Sequence, residues 1–203
     1  MLQQSLDLAL VSGVGEGGIP DAAFEKAVAD LAPALARLNG EAKTLPLLGL
    51  PAETADLAPV RAAAERLRQG ASDVLVLGTG GSSLGGQTLA QLTGYGTAGL
   101  SALLPEPRVH FIDNLDPLTF AALLKTLPLK TTKFVSISKS GGTGETLLQT
   151  IAAITALRGA GIAEDKIGWH FQGLSEPARP GKLHALRALL EPFGVPFLEH
   201  HTG

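Results

Sequence analysis

The sequence predicts an α/β fold: a parallel β-sheet sandwiched by helices and preceded by a helical N-terminal segment. Three observations carry that expectation. Short apolar runs recur at Val74–Leu77, Val109–Ile112, Phe134–Ile137 and Ile167–Phe171, the signature of strands buried on both faces. Helical stretches separate them at Leu84–Leu92, Pro117–Leu124 and Thr143–Leu157, the alternation of βαβ units on a parallel sheet. Right-handed crossovers then place helices on both faces. Finally, two of the runs, at Val74 and Phe134, lead into loops rich in glycine and hydroxyls that open directly onto a helix.

The elements before this alternation are helical. Residues 1–20 lack clear periodicity and end in the glycine-rich connector VSGVGEGGIP. Asp21 is positioned to cap a helix over Ala23–Leu38, with Phe24, Val28, Leu31 and Leu35 at helical spacing. Pro33 is expected to kink or split it, and Asn39-Gly40 to stop it. A loop over Pro46–Pro59 precedes a helix at Val60–Arg68, with Gly70 at its end. The domain expectation is therefore a helical segment over 1–70 and an α/β domain over 71–203. Within the latter, Asp116-Pro117 is a strong helix start, a capping carboxylate followed by proline at the first helical position. A last helix is expected over Lys182–Leu190, and Val195–Gly203 reads as a strand running into a loop.

Composition narrows the function classes. The 203 residues are 45% apolar and 17% charged, with a net charge of -3, so the chain is globular and has no basic field for nucleic acid or anionic membranes. An anion site must be built locally, from backbone dipoles and one or two cations. Cysteine is absent, which removes disulfides, thiolate zinc sites and thiol catalysis. The N-terminus has no basic region ahead of its apolar residues and no apolar run approaches a membrane span. The expectation is a soluble, cytoplasmic protein.

The chemistry concentrates in the two loops. VLVLGTGGSSLGG at 74–86 holds five glycines and two serines, and such a loop offers N–H groups at a helix N-terminus, most often to phosphate. It fails both standard nucleotide motifs. Ser83 stands where a dinucleotide fingerprint needs its third glycine, and Gln87 where a mononucleotide loop needs lysine. What survives is a glycine loop whose Ser82 and Ser83 can bond a ligand, or else a tight turn with capping serines and no ligand. The second loop, Ser138-Lys139-Ser140-Gly141-Gly142-Thr143, gathers three hydroxyls and a lysine just before a helix. That composition suits a tetrahedral anion, with the helix dipole assisting. Lys139 supplies charge or is merely solvated, and Glu145 has a plain role in the first helical turn. Two such loops at the carboxyl ends of strands in one sheet reinforce each other, because open α/β folds bind ligands there.

LGTGGSSLGG at 77–86, FIDNLDP at 111–117 and SISKSGGTGET at 136–146, in that order, resemble the glucose-6-phosphate isomerase family. The resemblance covers roughly residues 70–203 and matches the first of that family's two sugar-isomerase (SIS) domains, a flavodoxin-like three-layer fold. It implies an aldose–ketose isomerase of glycolysis and gluconeogenesis that interconverts glucose 6-phosphate and fructose 6-phosphate through an enediol. It further implies that Ser138, Lys139, Ser140 and Thr143 hold the sugar phosphate. Gly81 and Ser82 would lie nearer the sugar. Ser140 replaces a frequent threonine and keeps its hydroxyl, while Gly141 and Gly142 replace bulkier residues. The implied partner is a small sugar phosphate, with no cofactor, no metal, no nucleic acid and no membrane, and the full-length protein is expected to be a homodimer.

The family's glutamate base, arginine, ring-opening histidine and lysine match nothing within the 203 residues. The expectation is an N-terminal portion, truncated within its first SIS domain and with the second SIS domain absent, that binds sugar phosphate and has little activity alone. His184, His200 and His201 receive no catalytic role: His184 falls on an amphipathic helix, and the His200-His201 pair lacks the spacing of a metal site. Two other readings remain at this point. One is a non-catalytic sugar-phosphate-binding module that regulates a partner domain. The other is a dinucleotide-binding domain with Asp113 at the end of its second strand.

Overall fold

The structure, a computed structural model, describes residues 4–41, 44–94, 107–181 and 184–200. Lys182, where the last helix was expected to begin, and His201–Gly203 lie outside the described residues. The described residues fall into two compact units that divide between Glu53 and Thr54.

The first unit is helical. It comprises α1 (Val11–Val14), α2 (Asp21–Glu41) and α3 (Pro46–Gly49), with a parallel bridge between Leu10 and Ile19. Asp21 is the first residue of α2 rather than its cap, and its carboxylate accepts the backbone N–H and hydroxyl of Ser12 at 3.2 and 2.6 Å. Pro33 neither splits nor ends α2, and the helix continues through Asn39-Gly40 to Glu41. The carbonyl that Pro33 cannot serve belongs to exposed Ala29, so water can satisfy it.

The second unit is the α/β sandwich. Its elements are α4 (Leu57–Arg68), β1 (Asp73–Leu77), α5 (Gly81–Leu92), β2 (Arg108–Ile112), α6 (Pro117–Thr126), β3 (Thr132–Ile137), α7 (Gly144–Gly159), α8 (Glu164–Ile167), β4 (Phe171–Ser175), α9 (Ala185–Leu190) and β5 (Phe197–Glu199). The five strands are all parallel in the order β2-β1-β3-β4-β5. Asp116 caps α6 as expected, its carboxylate accepting the Thr119 N–H at 3.0 Å.

Pairing register sorts the strand residues onto two faces. Leu75 pairs with Phe134 and Leu77 with Ser136, while Phe134 pairs with Phe171. These point to one face, where they join Phe120, Ile154, Leu157, Leu186 and Leu190 from α6, α7 and α9 in the hydrophobic core. Phe134 and Phe171 stack at 5.1 Å and are both fully buried, each contributing about 1.5–3 kcal/mol of burial free energy. Ser136 reaches the Thr150 hydroxyl of α7 at 2.9 Å. The opposite face is covered by α4 and α5. A Cβ on Gly86 of α5 would come within 3.0 Å of the Phe111 ring, and Arg66 of α4 donates to the Gln172 amide oxygen at 2.8 Å.

The fourth strand departs from the sequence expectation. Ile167 closes α8, residues 168–170 form a 3-10 turn, and the strand is Phe171–Ser175. Ile167 and Phe171 are fully buried and four apart, a helical spacing. The true strand, FQGLS, carries polar residues that are satisfied internally: the Gln172 side chain donates to Pro196 O at 2.9 Å and Ser175 to Ser138 O at 2.6 Å.

At the amino end of the sheet, Lys133 is fully buried beneath α4. Its ammonium donates to Arg66 O at 3.2 Å and lies 3.3 Å from the Trp169 ring centroid. Burial, and secondarily the Arg66 charge, push its pKa down to about 8, against about 10.4 in an unfolded chain. The unfolded state therefore binds more protons between these values, so stability rises with pH across that window and the penalty is complete below it. Urea-unfolding midpoints of the wild type should increase between pH 8 and pH 10 relative to those of Lys133→Met. Parallel profiles would contradict the assignment.

Candidate functional site

The strand order reverses direction at β1 and β3. From β1 the chain moves outward to β2 by way of α5, and from β3 it moves the other way to β4 by way of α7. Because α5 and α7 lie on opposite faces, the loops leaving β1 and β3 diverge and open a crevice at the carboxyl edge. Ligands of open α/β sheets bind at such a switch point.

The first loop turns on Gly80, with φ +53° and ψ −125°, and α5 begins at Gly81. A side chain at Gly80 would be strained in that conformation. Gly81 is exposed and Ser82 half-buried. Ser83 is fully buried and accepts the Gln87 amide at 2.7 Å, while the same amide reaches the Asp113 carboxylate at 3.2 Å. Thus Gln87 braces the β1 and β2 loops against each other. Asp113, the residue after β2, is exposed and takes part in this brace through one of its oxygens.

The second loop is the more elaborate. Ser138 is 1% exposed; its hydroxyl lies 2.8 Å from that of Thr143 and accepts the Thr143 N–H at 3.3 Å. Thr143 therefore caps α7 by position but turns its side chain to Ser138. Ser140 is exposed, and its hydroxyl accepts the Gly142 N–H at 3.3 Å. Lys139 is exposed. Beyond them, the first-turn amides of α7 have no acceptor within the helix and carry its positive dipole end. Gly141 adopts φ +71°, and a Cβ there would overlap the imidazole of His184.

The structure thus brings Ser138, Lys139, Ser140 and Thr143 together in one loop, with Gly81 and Ser82 at the neighbouring strand end. Ser138 is buried as a brace bonded to half-buried Thr143, while Lys139, Ser140 and Gly81 are exposed. Sequence reasoning missed Ser175, and it gave Gln87 and His184 no part in holding the loops. Ser175, at the end of β4, donates to the carbonyl of Ser138, and its Oγ lies 2.6 Å from His184 Nε2. Its place at the strand's carboxyl end was the available signal, hidden by the misplaced fourth strand. A depression of about 590 Å³ between α7 and α9, lined by Ile154, Leu189 and Phe193 among others, shares no residue with the loops.

Comparison with known proteins agrees with this geometry. The family model described as phosphoglucose isomerase matches residues 61–182, a span that includes both loops and the DNLDP turn. The chain belongs to the phosphoglucose isomerase family. A probable glucose-6-phosphate isomerase of Haloquadratum walsbyi is 33% identical over 129 residues, 61% of this chain and 27% of its own length. A glucose-6-phosphate isomerase of Treponema pallidum is 41% identical over 92 residues, 45% of this chain and 17% of its own. The chain therefore spans about a quarter or less of these curated relatives. Among solved structures, a hypothetical protein from Thermus thermophilus, TT0462, superposes with TM-score 0.67 at 28% identity, covering 89% of this chain and 41% of its own. A glucose-6-phosphate isomerase from Chlamydia trachomatis superposes at 0.53 and 23% identity over 70% of this chain and 25% of its own, a likeness of fold.

In this family member the second loop depends on glycine at 141 for both conformation and space. Gly141→Ala should lower unfolding free energy by at least about 1–2 kcal/mol, read from urea titration. An unchanged midpoint would mean that the loop is not packed on His184 as described.

Proposed function

We propose that Ser138–Thr143 holds the phosphate of a sugar phosphate, and that the chain supplies the sugar-phosphate-binding half of a glucose-6-phosphate isomerase. The observation that carries this reading is a hydroxyl-lined loop at the N-terminus of α7, at the sheet's switch point, in a phosphoglucose isomerase family member. In this reading Ser140, Thr143, Lys139 and the loop and first-turn amides surround the phosphate. Ser138 fixes Thr143 from below. Gly81 and Ser82, one strand away, contact the sugar end.

The reaction that the family supports is interconversion of glucose 6-phosphate and fructose 6-phosphate through an enediol, within glycolysis and gluconeogenesis. The binding energy of the remote phosphate orients the reacting carbons. Proton transfer between those carbons needs a base, which the resemblance assigns to residues matching nothing here. His184 is engaged with Ser175 and α9 and is no substitute. We therefore read the chain as having little isomerase activity by itself. The same reading takes a cytoplasmic setting, excludes nucleic acid and membrane as partners and makes the longer protein a homodimer. Among the described residues no helix is long and apolar enough to cross a membrane.

Fructose 6-phosphate should raise the melting temperature of the wild-type chain, equivalent to about 2.7 kcal/mol at a hundredfold excess over Kd. The Ser138→Ala/Thr143→Ala double variant should melt cooperatively without that shift, and NAD should shift neither protein. Retention of the sugar-phosphate shift in the double variant would sink the assignment. A direct assay should find little conversion to glucose 6-phosphate; robust turnover would overturn the view of a binding half.

A further inference from the structure

We propose that His184, acting through Ser175, is a positioning residue that aims the amides of the Ser138–Thr143 loop at its anion. The proposal rests on the phosphate reading for its ligand, but the arrangement of the loop stands on contacts alone.

Four bonds from β4, the segment after it, and α9 hold the loop's carbonyls from beneath. Ser175 Oγ lies 2.6 Å from Ser138 O and 3.1 Å from Lys139 O. The backbone N–H of Glu176 donates to Lys139 O at 3.0 Å, and that of Leu186 to Gly141 O at 2.9 Å. A trans peptide is planar, with its N–H opposed to its C=O. Anchoring the carbonyls of residues 138 and 139 therefore turns the N–H groups of Lys139 and Ser140 the other way, out of the sheet edge, while that of Gly142 meets the Ser140 hydroxyl at 3.3 Å.

His184 determines how Ser175 uses its one proton. The Arg187 N–H donates to His184 Nδ1 at 3.3 Å, where the ring caps α9. Nδ1 is thus the acceptor, and the neutral ring carries its proton on Nε2, 2.6 Å from Ser175 Oγ. Ser175 accepts from the ring and gives its own hydrogen to the loop carbonyls. The same imidazole packs under Gly141, whose positive φ brings the backbone onto it. One side chain therefore performs two separable tasks, capping α9 through Nδ1 and orienting Ser175 through Nε2.

Two amide replacements divide these tasks. Asparagine places an acceptor near Nδ1 but does not reach Ser175. Glutamine places an N–H near Nε2 but leaves α9 without its cap. In the unliganded 203-residue chain, hydrogen exchange of the Glu176 and Gly141 amides, which donate to the braced Lys139 and Ser138 carbonyls, should accelerate about tenfold or more in Ser175→Ala and His184→Asn, as loss of one buried hydrogen bond implies. His184→Gln should exchange nearly as the wild type does although it melts lower, and His184→Asn should exchange faster than His184→Gln at a comparable melting temperature. Inorganic phosphate, titrated by NMR, should bind about tenfold more weakly to the first two variants, with affinity restored in His184→Gln. Exchange and affinity that follow melting temperature through all three variants, or that do not change, overturn the proposal. If wild-type chain binds no phosphate while exchange follows the expected pattern, the phosphate reading fails and the positioning of the loop stands.

Discussion

The site depends on one constraint: β1 and β3 lie side by side while their helices leave to opposite faces. The contacts that establish this are modest, Gly86 against Phe111 on one side and Thr150 bonded to Ser136 on the other. Their consequence is geometric. Two loops part at adjacent strand ends and cannot close over each other, so the carboxyl edge stays open between them. The same handedness that packs α6, α7 and α9 on one face concentrates the hydrophobic core there. On the other face lie Arg66, Lys133 and Gln172, where polar groups are satisfied by one another and by backbone carbonyls.

With a net charge of -3, the chain cannot draw an anion by its overall field, and the attraction has to be local. The second loop answers this with oriented dipoles. Carbonyls of three of its residues are occupied from below, and the start of α7 adds the positive end of a sixteen-residue helix. Burying Ser138 contributes to the same end, since its hydroxyl holds Thr143 where α7 begins. Rigid donors arranged before the ligand arrives avoid the cost of ordering them on binding.

Much of this was legible in the residues. The alternation of apolar runs with helical stretches predicted the parallel sheet, and the two glycine loops marked its working edge. The Asp116-Pro117 pair located α6. What escaped was the support beneath the loop. FQGLS lacks an apolar pattern because Gln172 and Ser175 make internal hydrogen bonds, while Ile167 and Phe171 imitate a strand with helical spacing. Shifting that strand hid Ser175, and with it the reason for His184. Pro33 misled for a different reason: its helix is exposed, so water tolerates a break in the backbone ladder that a buried helix could not.

The most direct test of the account is a map of amide chemical-shift changes as fructose 6-phosphate is titrated into the isotope-labelled chain. The account predicts that the largest changes fall on residues 139–146, with smaller ones at 80–83, and that the amino edge around Asp73 and Arg108 stays silent. Changes centred instead on the depression between α7 and α9, or on the amino edge, would contradict it.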